Sequence, residues 1–212
     1  GMRVNIYLET DKQNQECTWR KYGYVLEAMA GRCIPVTRVG FGSAEGTYHK
    51  CNLQALEEAL VRFHKECEVC VYTKDAFVAA RILKIDEMAA TDFKDTKGKP
   101  IKNAKEWESI CRKIKECSIV ISSHSGKHTY SVWMQEEMKK MEEIWGKGWS
   151  LRPEQNPADM EYIGTITRSG YKFTYYKDQK GGIYFDSEPE NGKPEWMRRA
   201  DEERGRRNRH KH

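Results

Sequence analysis

No run in the sequence approaches the ~18 apolar residues that a membrane-crossing helix needs. The opening stretch, GMRVNIYLET, also lacks the charged-then-apolar layout of a secretory leader. These absences lead us to expect a soluble, cytoplasmic chain with no membrane partner, and Gly1 ahead of Met2 reads as a scar of tag removal. No internal repeat is visible. An even cysteine framework is missing too: seven cysteines, scattered through strand-like and helix-like segments, fit reduced thiols better than disulfides. The lone C-x-x-C, Cys67 to Cys70, enters a strand, where residues three apart face opposite sides and cannot chelate one ion together.

Charge is plentiful. A third of the 212 residues are charged and the formal net charge is +5. From Lys193 to His212, eight Lys and Arg stand against four Asp and Glu, so most of the excess sits in a basic tail that includes Arg204, Arg206, Arg207 and Arg209. Such a tail is either an electrostatic handle for nucleic acid or a solvated, disordered charge run. The remaining length suits one core-bearing domain with a smaller appendage.

Short β-branched runs at RVNIYLET, KYGYVLEAMAG and CIPVTRVGFG predict a three-stranded antiparallel meander. Leu53, Leu56, Leu60 and Phe63 then recur three or four apart, the period of an amphipathic helix. CEVCVYT reads as a fourth strand, AFVAARILKI and AKEWESICRKIKE as helices around a polar loop, SIVISS as a fifth strand, and SVWMQEEMKKMEEIW as a closing helix. The fold class is therefore mixed α/β: a five-stranded mixed sheet flanked by helices. We place a boundary near residue 149. Residues 150–192 hold a linker and a small β meander, read from YIGTIT, YKFTYYK and GIYFD, and 193–212 form the tail. That meander cannot bury a core alone, so it must pack on the main domain or on another chain.

Four short signatures, in order on these elements, resemble the type I ribonuclease H domain. GTYHKCNLQALEEAL is similar to its first-helix signature, with Thr47, Leu53, Ala55, Ala59 and Leu60 in place. YTKDAFV is similar to its T-D-S-x-Y-V. GKPIKNAKEWESI retains Lys102, Asn103 and Trp107, and HSGKH, from His124, resembles the H-x-G loop before the last helix. The resemblance implies a ribonuclease H-like fold and a two-metal nuclease that cuts the RNA strand of RNA–DNA hybrids. Two Mg²⁺ ions about 4 Å apart repel one another, so such a site needs several carboxylates to offset their charge.

This chain departs from that requirement. Glu9 stands where the family has its first Asp, Asn52 where it has the helix Glu, Lys74 at the second Asp and Met134 at the last Asp. One position in four stays anionic and one has reversed sign, which at close range costs a divalent ion several kcal/mol. Asp75 is either an N-cap for the helix that follows or a ligand reached through a strand bulge. Asp11, Glu136 and Glu137 lie near other family positions; the last two read as Glu–Lys partners on a solvated helix face. His124 has no metal-bound water to act on and reads as a loop histidine, while Trp107 suits either the core or a substrate contact. The basic, Trp-bearing helix and loop with which many bacterial members grip the hybrid is also missing, so phosphate affinity must come from elsewhere.

Three functional expectations result. The first is a ribonuclease H-like domain that has lost catalysis, holds no metal, and binds nucleic acid or another partner, with Thr47, Lys102, Asn103 and the four tail arginines as contacts. The second is an active Mg²⁺- or Mn²⁺-dependent ribonuclease H with a rearranged set of Glu9, Asp75 and one of Asp11, Glu136 or Glu137. The third is an assembly module that self-associates through the meander at residues 161–186.

Overall fold

The computed structural model describes the backbone of residues 2–29, 35–145, 161–168, 171–177 and 183–189, with side chains described for residues 2–28 and 37–140. The expected opening meander is present: β1 (Met2–Thr10), β2 (Thr18–Met29) and β3 (Pro35–Gly46) pair antiparallel in that order. Next come α1 (Tyr48–Val61) and β4 (Cys67–Thr73), which lies parallel to β1 with Tyr7 abreast of Tyr72. Then follow α2 (Ala76–Ile82), α3 (Ile85–Ala90), α4 (Ala104–Glu116), β5 (Val120–Ser125, parallel to β4) and α5 (Ser131–Trp145).

The helix expected over AFVAARILKI is broken into two. Lys84 leaves helical dihedrals (φ −110°, ψ 19°), and the break turns α3 onto α4, where Ile85 and Met88 join the core. The C-terminal strands β6 (Glu161–Arg168), β7 (Tyr171–Lys177) and β8 (Ile183–Pro189) form the expected meander. It does not stand apart: β8 pairs antiparallel with β3, giving one sheet in the order β5-β4-β1-β2-β3-β8-β7-β6.

Strand alternation gives the sheet two unlike faces. Val4, Ile6, Leu8, Tyr22, Tyr24, Leu26, Val69 and Val71 point into an apolar core with Leu53, Leu56 and Leu60 of α1 and Trp107 and Ile110 of α4. Trp107 is 1% exposed, so it belongs to that core. Asn5, Tyr7, Glu9 and Glu27 alternate onto the opposite face, which α5 covers with Trp133, Met134 and Met138. All six described cysteines are free, and burial pushes Cys51 up to about 12 and raises Cys67, so neither is a reactive thiolate.

Candidate functional site at the ends of β1 and β4

Parallel pairing sets the geometry. With Tyr7 beside Tyr72, two more residues bring Glu9, near the end of β1, abreast of Lys74, just past β4. Their side chains meet: Lys74 Nζ lies 2.5 Å from Glu9 Oε1. From α5, Gln135 Nε2 donates to the same oxygen at 2.8 Å and to Thr10 O at 2.6 Å, tying helix to strand. His128 contributes more weakly. Its Nε2 is 3.3 Å from Glu9 Oε2 but 2.7 Å from Leu8 O, while its Nδ1 accepts the Tyr130 N–H at 3.2 Å. With Nδ1 taken up by the Tyr130 N–H, these bonds aim an Nε2 proton at the Leu8 carbonyl. Glu9 Oε2 is left with an off-axis contact and no aligned donor.

Glu9 is 2% exposed, and burial by itself would raise its pKa. Contacts from His128, Lys74 and Gln135, together with the Lys74 charge, outweigh burial and hold the carboxyl below its ordinary value. Glu9 is thus an anion, and its countercharge is a side chain of the same fold.

Asp75 belongs to a second, adjoining group. Its Oδ1 accepts the Val78 N–H at 3.1 Å and so caps α2, a local consequence of placing a short carboxylate before AFVAARI. Its Oδ2 meets His49 Nδ1 at 2.7 Å and Asn52 Nδ2 at 3.5 Å, and its own N–H donates to Thr73 Oγ1. Asn52 spends its amide on Tyr48 O at 3.0 Å, and its oxygen accepts from the Thr73 hydroxyl at 3.4 Å. Tyr48 registers both groups: burial and the charges of Asp75 and Glu9 push its hydroxyl up to about 12.

The other sequence candidates sit as follows. Met134 is fully buried on α5 beside Gln135. Asp11 is engaged across the β1–β2 turn, accepting the Lys21 N–H at 2.9 Å with Lys21 Nζ 3.9 Å away, and burial raises its pKa. Glu136 is exposed, but Glu137 corrects the expectation of a solvated pair: it is 1% exposed, because α5 lays that side on the sheet. His124 lies within β5 opposite Tyr72, ring to ring at 5.4 Å and exposed, so no contact joins it to Glu9. The Thr47 hydroxyl caps α1 by accepting the Lys50 N–H at 3.3 Å. Lys102 is exposed and Asn103 adopts a left-handed conformation (φ 59°) ahead of α4. Arg204, Arg206, Arg207 and Arg209 lie outside the described residues.

His128, Gln135 and His49 escaped the sequence reading. His128 is four residues past the histidine of the H-x-G signature, Gln135 is adjacent to Met134, and His49 is three residues before Asn52 on the same helix. Only that proximity signals them.

This donor set does not fit a pair of divalent ions. Glu9 Oε1 already holds an ammonium and an amide, both Asp75 oxygens are engaged, Asn52 is neutral and Met134 offers a thioether. Among the described residues no three His, Cys, Asp or Glu side chains converge as a metal-holding group.

No protein-family model and no curated protein matches the sequence. Solved structures do. A foamy viral protease-reverse transcriptase in complex with dsDNA is 14% identical, over 68% of this chain and 93% of that one, with a TM-score of 0.50. LC9-RNase H1, a type 1 RNase H with the type 2 active-site motif, is 16% identical over 66% and 69% of the two chains, with a TM-score of 0.49. The β5-β4-β1-β2-β3 sheet, its two parallel and two antiparallel pairings and the helices on its two faces give this chain a ribonuclease H-like fold.

Proposed function

We propose that this chain is a ribonuclease H-like domain that has given up two-metal hydrolysis and binds nucleic acid, either an RNA–DNA hybrid or a duplex. The observation that carries the reading is the Lys74–Glu9 ion pair, which puts a covalently attached cation where the resemblance would place a divalent one. Phosphate binding tolerates that exchange, whereas activation of an attacking water does not. The likeness to a solved structure in complex with dsDNA agrees with binding.

The test uses the full chain with a labelled RNA–DNA hybrid and with double-stranded DNA, in Mg²⁺ or Mn²⁺. Anisotropy should show binding that weakens steeply between about 50 and 200 mM salt, as counterion release requires, and the hybrid should stay intact. Cleavage that needs the metal and disappears in Glu9→Ala would overturn the loss of hydrolysis; no binding at the low-salt end would overturn the binding role.

A further inference from the structure

We propose that His49 and Asp75 form a proton-accepting dyad that cleaves single-stranded RNA without a metal ion. The inference rests on the nucleic-acid-binding reading above. Asp75 is 1% exposed and immobilised by capping α2, so it is a fixed anchor for the ring 2.7 Å away. A carboxylate oxygen accepts, so the 2.7 Å contact places a proton on His49 Nδ1 and leaves Nε2, across the ring, as the nitrogen that can take one up. Phe77, with ring centroids 4.7 Å apart, packs against the imidazole and limits its rotation. The His49 side chain is 19% exposed, and among the described residues its Nε2 makes no hydrogen bond.

A positioned base of this kind needs a nucleophile. Among the described residues no serine, threonine or cysteine is aligned with Nε2, and the site does not fit a metal that could activate water. RNA brings its own nucleophile as the ribose 2′-hydroxyl, and DNA does not. The step balances. Nε2 takes the 2′-OH proton, the 2′-oxygen bonds to the adjacent phosphorus, and the bond from phosphorus to the 5′-oxygen breaks. The 5′-oxygen leaves with a proton from water, and the imidazolium returns its proton to the hydroxide so formed, giving a 2′,3′-cyclic phosphate, a 5′-hydroxyl and a neutral ring with no net water consumed. Lys50, exposed and next to His49 in the chain, adds positive charge near the base for the phosphate, while the Lys74 charge is spent on Glu9. His49 is the catalytic residue of this scheme and Asp75 a positioning residue.

The experiment incubates the full chain in excess EDTA with a labelled single-stranded RNA and with DNA of the same sequence, beside an identically purified His49→Ala. We expect slow cleavage of the RNA alone, ending in cyclic phosphate, and a loss of about 100-fold or more in His49→Ala. Asp75→Asn keeps an oxygen for the Val78 N–H but presents an N–H to Nδ1. It should reverse the tautomer and lower kcat while KM and Tm hold. No cleavage by the full chain, or equal cleavage by His49→Ala as from a contaminating ribonuclease, overturns the dyad. If the chain in that case still binds the hybrid or the duplex, only the dyad falls; if it binds neither at low salt, the reading beneath it falls as well.

Discussion

Lys74 differs from a bound metal ion in one measurable respect: its charge is part of the fold, so removing it is a stability experiment as well as a functional one. Lys74→Met strands Glu9 in a buried position with only Gln135 and the off-axis His128 beside it. Since Lys74 is 23% exposed, the cost at pH 7 should fall between the exposed and buried limits, about 1–3 kcal/mol. The pH dependence carries the sign. In the native chain Glu9 is held below its ordinary value of 4.5, so its contribution is present above that value and lost as pH falls through the folded one. Removing Lys74 takes away its hydrogen bond and its charge and leaves His128 and Gln135 against burial, so the folded pKa should rise and the charged form should lose stability as pH rises. Urea titrations at pH 7 and pH 4 should therefore show the gap between native and variant shrinking toward acid. A gap that does not change with pH would mean that the pair does not set the ionisation of Glu9.

At the level of elements, the features readable from the chain were those with a local cause. The strand–helix order follows from periodicity, and the Asp75 cap follows from a carboxylate preceding an apolar helix. The polar anchor of Glu9 was not readable, because His128 and Gln135 reach it only once α5 has docked across the sheet, bridging 119 and 126 residues of sequence. Glu137 was misread for the same reason: its Lys140 partner is a local pattern that says nothing about which side of α5 is buried. The antiparallel pairing of β2 with β3 was expected, but its register was hidden. Gly42 lies opposite Tyr22, and a Cβ there would fall within contact distance of the Tyr22 hydroxyl and 2.6 Å from its Cζ. That ring crosses the glycine to donate to Glu58 at 2.7 Å, and it receives Gln54 at 3.0 Å. Gly42→Ala should displace the ring and weaken the bond, destabilising the fold by about 1–3 kcal/mol in chemical denaturation. An unchanged midpoint would show that the strand can shift to make room.

Over the whole molecule, the C-terminal meander changes what the sheet edge is. In the expected five-stranded sheet β3 would be an edge of 12 residues, long enough to template pairing with another chain. Here β8 pairs with it at Val39, opposite Ser187, and the edges of the sheet become β6 and the six-residue β5. The meander therefore covers a strand within its own chain, which reverses the consequence expected of an assembly module: deleting it should promote association. A chain ending at Trp149 would take away the strand that pairs with β3 at Val39. Light scattering should show that chain forming dimers or larger species at concentrations where the full chain keeps a smaller mass. If the shortened chain remains a monomer while the full chain assembles, the meander is the interface and its pairing with β3 does not protect the edge.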